Sequence, residues 1–114
     1  MMTEQDQLRA ETRAAVLKAL AHPTRIFIVE VIDREGPQSV QKLAAMVDAD
    51  TSTVSRHLSV LKNAGILRDR KDGTTVFYSL SCGCIGGFMD GLEGLLRARR
   101  MRDQEAWAAT LPGE

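Results

Sequence analysis

Hydrophobic residues recur at helical spacing in the first half of the chain, and residues that commonly end helices separate the groups. A first helix is predicted from a Thr3 cap to about Leu20. The segment Ala21-His22-Pro23 ends it, because proline disfavours helical geometry in the residue before it. A second helix begins at Pro23, is apolar almost all round and ends at Gly36-Pro37, so it is expected to be the buried central helix.

A short third helix is predicted over residues 40–47. Ser39 is its natural N-cap, because a serine hydroxyl can accept from the unpaired N–H groups of a first turn. Its residues Leu43, Met46 and Val47 are expected to face inward. The segment Asp48-Ala49-Asp50 makes the turn that follows.

A fourth helix is predicted from about Thr51 to Ala64, and Gly65 ends it in the left-handed conformation that glycine tolerates. Residues 66–70 and 74–80 then predict two strands, with Lys71-Asp72-Gly73 as the hairpin turn between them. A last helix is expected from about Ile85 to Arg102 or beyond.

The element order therefore predicts a mainly α protein with a small β-hairpin, in the order α-α-α-α-β-β-α. This is a winged helix-turn-helix arrangement. The chain has no repeat, linker or low-complexity stretch, so residues 1–114 are expected to form a single domain.

Length and composition exclude several classes of protein. A monomer of 114 residues is marginally stable, and 44% hydrophobic residues are ordinary for a globular chain. No run approaches the roughly 18 apolar residues of a membrane-spanning helix. The polar, acidic N-terminus does not match a secretory signal, so the expected location is the cytoplasm, without membrane contact.

Fifteen basic residues balance fifteen acidic ones, so net charge alone does not indicate a nucleic-acid partner. The distribution is uneven. Residues 56–72 hold five basic and two acidic residues, and residues 97–102 hold four arginines and no acid. A solvated helix face explains the arginine cluster equally well.

The fourth helix has two contrasting faces. At 100° per residue, Val54, Leu58 and Leu61 form an apolar stripe that is expected to face the core. The opposite face carries Ser52, Ser55, Arg56, Ser59, Lys62 and Asn63. No acidic residue lies between Thr51 and Asn63, and short hydroxyls allow close approach to phosphates, so this face favours DNA binding over plain solvation.

The segment Asp50-Thr51-Ser52-Thr53-Val54-Ser55-Arg56-His57-Leu58-Ser59-Val60-Leu61-Lys62-Asn63-Ala64-Gly65-Ile66-Leu67 resembles the signature of the arsenic-repressor (ArsR/SmtB-type) family of metal- and metalloid-responsive regulators. Leu20-Ala21-His22-Pro23-Thr24-Arg25 resembles the start of that family's second helix. The likeness covers roughly residues 17 to 80 and implies a repressor that binds double-stranded operator DNA.

The resemblance also implies site residues. On the fourth helix the implied DNA contacts are Thr51, Ser52, Ser55 and Arg56, with Lys62 added from the exposed face. The implied wing contacts, to backbone or minor groove, are Arg70, Lys71 and Thr74. His57, at the edge of the apolar stripe, is expected mainly to pack and hydrogen-bond, and a helix cap is one of the roles open to His22.

Family members are homodimers that pair through their first and last helices, and this chain has apolar residues suited to that role. On the last helix they are Ile85, Phe88, Met89, Leu92, Leu95 and Leu96. The alternative is that they belong to an ordinary intrachain core. The expected assembly is a homodimer with two recognition helices about 34 Å apart.

Cys82 and Cys84 are the only cysteines of the chain and lie between the predicted wing and the last helix. Soft thiolates select thiophilic ions, so a metal or metalloid inducer such as arsenite or antimonite is expected there, and arsenite is the first choice. The family's other sites are missing, because residues 39–43 hold no cysteine and no histidine follows His57. DNA binding itself is expected to need no cofactor.

The alternatives are a thiol-redox or persulfide-responsive repressor that uses the same cysteines, or a regulator that needs no ligand. An enzyme is not expected, because no histidine or carboxylate near Cys82 in the sequence would activate it and no phosphate-binding glycine loop is present. A docking module for proteins is a further alternative, and the acid-free face of the fourth helix argues against it.

Overall fold

The computed structural model describes residues 1–110 and 112. Its elements are α1 (Glu4–Leu20), α2 (Pro23–Glu35), β1 (Gln38–Ser39), α3 (Val40–Val47), α4 (Thr51–Asn63), β2 (Leu67–Asp72), β3 (Thr75–Leu80) and α5 (Ile85–Thr110). This order confirms the winged helix-turn-helix arrangement. The chain divides into two compact units, Met1–Gly83 and Cys84–Glu114, so α1 to β3 form one unit and α5 belongs to the other.

Side-chain caps fix where the first two helices begin. Thr3 and Asp6 form a reciprocal capping box, in which each side chain accepts from the other's backbone N–H at 3.0 Å. At α2, His22 is the N-cap and its Nδ1 accepts from the Thr24 N–H at 3.1 Å. Pro23 occupies the first turn, where its missing N–H costs nothing. The structure thus gives His22 the capping role.

The core of the first unit lies between α2, α3, α4 and the start of β2. Its largest fully buried side chains are Ile28, Leu43, Leu58, Leu61, Leu67, Val29, Val31 and Val54. Burial of this many branched apolar side chains is the main stabilising contribution to the fold.

Two apolar residues of the helix-turn-helix region lie outside this core. Phe27 is exposed, although α2 is apolar almost all round and is expected to be the buried central helix. Met46 is exposed as well, so its predicted inward orientation is wrong. The buried residues of α3 are Leu43 and Ala44, and Met46 lies about 110° of helical rotation from the middle of that buried side, which places it beyond the edge of the core.

The sheet has three antiparallel strands in the order β1-β3-β2. The pairing of β2 with β3 runs from Leu67 opposite Leu80 to Asp72 opposite Thr75. The turn is therefore Gly73-Thr74. The turn predicted at residues 71–73 is wrong in its bounds, because Lys71 and Asp72 still pair with β3. Gly73 has φ +65°, which suits the first position of a tight hairpin turn. The sequence did not predict the two-residue strand β1.

The turn between α3 and α4 begins with a left-handed residue. Asp48 ends α3 at φ 52°, a conformation that aspartate tolerates better than most residues. Asp50 then caps α4, and Gly65 follows it at φ +83°, as expected. These residues fix both ends of α4.

In the second unit, α5 covers 26 residues, Ile85–Thr110, which agrees with a helix predicted to run from about Ile85 to Arg102 or beyond. Many of its apolar side chains, Leu95 and Trp107 among them, are exposed. None of the described helices combines the length and apolar character that a membrane span requires.

Candidate nucleic-acid interface

The polar face of α4 lies at the surface of its unit. Val54, Leu58 and Leu61 have no exposed area, whereas the opposite side of the helix is open. Its exposed residues are Thr51, Ser52, Arg56, Ser59, Lys62 and Asn63, and Ser55 is half-buried. The polar side chains that the helical period predicts on one face of α4 therefore lie together on its open side.

The Asp50 carboxylate caps the N-terminus of α4. Oδ1 of Asp50 accepts from the Thr53 N–H at 2.7 Å and from the Ser52 hydroxyl at 3.0 Å. Hydrogen bonding by the Thr53 side chain and N–H, and by the Ser52 hydroxyl, lowers the pKa of the Asp50 carboxyl below its usual value of 3.8. The Ser52 hydroxyl is thus already committed as a donor, and a phosphate at this end would lie beside a negative charge.

Arg56 is the cation on this face with the most freedom to reach a ligand. It is exposed, and within the part of the chain that the structure describes it takes part in no ion pair. Its charge adds only a minor lowering to the pKa of Asp50, after the hydrogen bonds to Thr53 and Ser52. A guanidinium in this position can extend to a guanine edge or to phosphate.

Lys62, unlike Arg56, forms an ion pair with an acidic side chain. Its Nζ lies 2.9 Å from Oδ2 of Asp69, and the two side chains are partly exposed. Hydrogen bonding to Asp69 raises the pKa of Lys62 above its usual value of 10.5. The pair joins the end of α4 to β2, so Lys62 connects the helix to the wing, and a phosphate would have to compete with Asp69 for it.

The wing residues alternate between two faces of the sheet. Arg70 pairs with Phe77 and Lys71 with Val76, and successive side chains of a strand point to opposite sides. Arg68 and Arg70 therefore share a face, where both line a surface groove with Phe77. Sequence reasoning missed Arg68, although the period of two along β2 carried the signal.

Thr74 lies in the hairpin turn and is exposed, so it is at the tip of the wing. It is the implied wing contact that does not depend on which face of the sheet meets the duplex.

A partly buried hydrogen bond connects α4 to α2. Nε of Arg25 donates to Nδ1 of His57 at 3.0 Å, and the His57 ring lies 4.5 Å from the His22 ring, centroid to centroid. His57 thus has the hydrogen-bonding role expected of it. Sequence reasoning missed Arg25, since the two residues are 32 positions apart and no local pattern connects them.

Both cysteines are disulfide-bonded in the structure. The thiolates that would bind a soft metal ion form only after reduction. Among the described residues there is no group of three or more His, Cys, Asp or Glu side chains that could hold a metal ion.

Comparisons with known proteins bear on this surface. The HVO_A0114 family matches residues 13–79, which contain α2, α3, α4 and most of the wing. The cadmium resistance transcriptional regulatory protein CadC homolog of Staphylococcus aureus is 45% identical over 67 residues, which cover 59% of this chain and 55% of that protein. The arsenic resistance transcriptional regulator ArsR1 of Pseudomonas putida is 41% identical over 69 residues, covering 60% and 54%.

The matched region is about half the length of each of these two regulators. A solved structure extends the likeness to nearly the whole chain. The crystal structure of Rv0081 from Mycobacterium tuberculosis has a TM-score of 0.71 and 33% identity, and the match covers 90% of this chain and 97% of that one.

Proposed function

Because this chain belongs to the arsenic-repressor (ArsR/SmtB-type) family of winged helix-turn-helix transcriptional regulators, we propose that it represses transcription by placing α4 in the major groove of operator DNA. The proposed contacts on α4 are Thr51, Ser52, Ser55, Arg56 and Lys62, and those on the wing are Arg70, Lys71 and Thr74. The proposal is for a regulator rather than an enzyme.

One observation carries this proposal: the outer face of α4 is exposed and has no acidic side chain between its first residue and its last. Its short hydroxyls permit close approach to the duplex, and Arg56 supplies a charge that forms no ion pair with any described residue. The nearest acid in the sequence, Asp50, is engaged by the helix N-terminus itself. A helix that enters a groove needs these features, because phosphates surround it on both sides.

We also propose that the chain acts as a homodimer that pairs through α1 and α5. Leu8 and Leu17 of α1 are 66% and 50% exposed, and Leu95 and Trp107 of α5 are each 67% exposed. Large apolar side chains at this exposure are typical of surfaces that a second copy covers. A two-fold axis would then present two α4 helices to half-sites about 34 Å apart.

For the inducer, the proposal is a thiophilic metal or metalloid bound by Cys82 and Cys84, with arsenite as the first choice. Soft sulfur donors select thiophilic ions such as arsenite, antimonite or cadmium, and the similarity to cadmium and arsenic resistance regulators supports this class of ligand. Arsenite prefers three sulfur donors. Since the described residues offer no group of three ligands, solvent, a small thiol or a second subunit would complete the site.

The disulfide-bonded state of both cysteines favours a second candidate, a repressor that responds to thiol oxidation or to persulfides. Two thiols become a disulfide by giving two electrons and two protons to an oxidant such as a peroxide. In this case the reduced and oxidised proteins differ in operator affinity, and no metal takes part.

The first experiment is a titration of a labelled fragment of the gene's own promoter with purified protein at about 150 mM salt, beside a scrambled duplex of the same length. Specific repressors typically bind their site at least about 1,000-fold more tightly than other DNA. Equal retardation of both duplexes would show non-specific binding alone. Failure to bind either would overturn the proposed function.

The second experiment separates the inducers. The preformed complex is titrated with arsenite, antimonite, cadmium or hydrogen peroxide, using the reduced protein and its Cys82→Ser, Cys84→Ser and Ser81→Ala variants. Release that both serine variants abolish, and that Ser81→Ala retains, supports the cysteine site. Release that persists in both serine variants would exclude it, and no release by any agent would favour a regulator without a ligand.

A further inference from the structure

Arg25 joins three helices of the first unit. Besides the bond from its Nε to Nδ1 of His57 on α4, its Nη1 donates to the carbonyl oxygen of Ala19 at 3.3 Å, near the end of α1. Arg25 itself lies in the first turn of α2, and both bonds are partly buried. One planar guanidinium therefore links the end of α1 and the start of α2 to the middle of α4.

The two imidazoles of this region each use Nδ1 as a hydrogen-bond acceptor. Nδ1 of His57 accepts from Arg25, and Nδ1 of His22 accepts from the Thr24 N–H. An imidazole nitrogen can accept only when it carries no hydrogen, so the hydrogen bond from Arg25 requires that Nδ1 of His57 be unprotonated. The rings are tilted by 53° at a centroid distance of 4.5 Å, so a positive charge on one ring would oppose a charge on the other.

Among the described residues, the charged and titratable groups that act on His57 are all basic. They are His22, the N-cap of α2, Arg25 of α2 and Arg56 of α4. Burial, and then the charges of His22, Arg25 and Arg56, lower the pKa of His57 below its usual value of 6.5. No carboxylate is present among them to stabilise an imidazolium.

We propose that Arg25 is a positioning residue for DNA recognition, which sets the rotation of α4 through its hydrogen bond to His57 and so directs the adjacent Arg56 at the duplex. This inference rests on the proposed function. The physical reason is the helical repeat: consecutive residues are 100° apart, so anchoring His57 on the inner side fixes the direction in which Arg56 leaves the helix. A protonated His57 could no longer accept from Arg25, and the anchor would open.

The variants are chosen to separate the hydrogen bond from the fold. Arg25→Met removes the hydrogen-bond donors and the charge but keeps much of the side-chain volume. Arg25→Lys keeps the positive charge and a hydrogen-bond donor. His57→Asn retains an acceptor near the position of Nδ1 and does not titrate. Arg34→Met is the matched control, because Arg34 is an exposed arginine in the last turn of the same helix.

Operator affinity is measured by fluorescence anisotropy, with thermal unfolding as the control for folding. Arg25→Met is expected to weaken specific binding about 10-fold at pH 7.5, the usual scale for losing a hydrogen bond to a charged group. Arg25→Lys is expected to recover part of this loss, and Arg34→Met to bind as the wild-type protein does. Should Arg25→Met fail to fold, the lysine and asparagine variants carry the test.

The pH profile gives a readout that a merely structural role would not change. Because the pKa of His57 is lowered, wild-type affinity for the operator is expected to fall only at pH values below the ordinary 6.5, as the pH passes through that lowered pKa, and His57→Asn to flatten that fall. In ¹⁵N NMR spectra, Nδ1 of His57 is expected to show the signal of an unprotonated acceptor in the wild-type protein and to shift in Arg25→Met.

The two proposals fail in different ways. Absence of wild-type binding to any duplex would overturn the proposed function. Wild-type binding with unchanged affinity in Arg25→Met and an unchanged pH profile in His57→Asn would overturn only the positioning role.

Discussion

Replacement of Arg56 by alanine tests the DNA-binding surface most directly. Arg56 is exposed on the outer face of α4, and the described residues offer it no ion pair, so truncating it leaves no charge of the protein without its partner. The adjacent Leu58 and Val54 are fully buried on the other side and are not disturbed. The change should therefore alter binding with little effect on the fold.

The magnitude follows from the chemistry of a guanidinium on a duplex. A bidentate contact to a guanine contributes about 1–3 kcal/mol of discrimination. The proposed dimer would make the contact twice, so a loss of about 2 kcal/mol in each half-site would give about 4 kcal/mol, or roughly 1,000-fold in affinity at 1.4 kcal/mol per factor of ten. An arginine that bound phosphate alone would behave differently: its removal would weaken all duplexes similarly and reduce the salt slope by about 0.9 for each phosphate that is no longer neutralised.

The assay is fluorescence anisotropy with an operator duplex and a scrambled duplex at three salt concentrations. Arg34→Ala, which removes an exposed arginine from the end of α2, is the matched control. Circular dichroism melting checks that each variant is folded. If Arg56→Ala and Arg34→Ala bound the operator with the same affinity as the wild-type protein, the assignment of the outer face of α4 to DNA would be wrong.

Three further predictions concern the fold that presents this face. Leu58→Ala should destabilise the protein by about 2–5 kcal/mol in urea unfolding, because the Leu58 side chain is fully buried. The neighbouring Ser59→Ala should change stability by less than about 0.5 kcal/mol. Equal urea midpoints for the two variants would contradict the packing of α4. Gly73→Val places a β-branched residue at φ +65° and should cost about 1–3 kcal/mol, whereas Gly83→Ala, where an added Cβ meets nothing within 4 Å, should cost much less. Since hydrogen bonds to Thr53 and Ser52 lower the folded-state pKa of Asp50, its ionised cap stabilises the fold above pH 3.8 and loses this effect as the pH falls through the lowered value. The melting temperatures of wild-type protein and Asp50→Asn should accordingly converge in acid, and a constant difference from pH 7 to pH 3 would argue against this cap.

The helix boundaries could be predicted because each depends on neighbours in sequence. Ser39 precedes an apolar run and accepts from the Lys42 N–H at 3.3 Å, so the limits of α3 were found from local chemistry alone. The exposure of Met46 could not be predicted in this way, because it depends on which side of α3 the rest of the unit covers. The contact between Lys62 and Asp69 likewise depends on how β2 passes the end of α4.

The same distinction applies to the candidate site. The outer face of α4 follows from a period of 3.6 residues, and its exposure agrees with the expectation. The hydrogen bond from Arg25 to His57 joins α2 to α4, so no local sequence pattern predicts it. The roles of Cys82 and Cys84 as a metal site remain a prediction.

The carboxylate of Asp50 at the start of α4 has a consequence for how the protein would search a genome. If the chain binds DNA as proposed, this negative group would repel the nearest phosphate on arbitrary sequence, where only the sugar-phosphate chain is available. The Ser52 hydroxyl and the Thr53 N–H, which could otherwise donate to that phosphate, already donate to Asp50. Non-specific complexes would thereby be weakened more than the complex with the operator, in which contacts to base edges would compensate. The protein would dissociate sooner from irrelevant sites and spend a larger fraction of its time at its own operator.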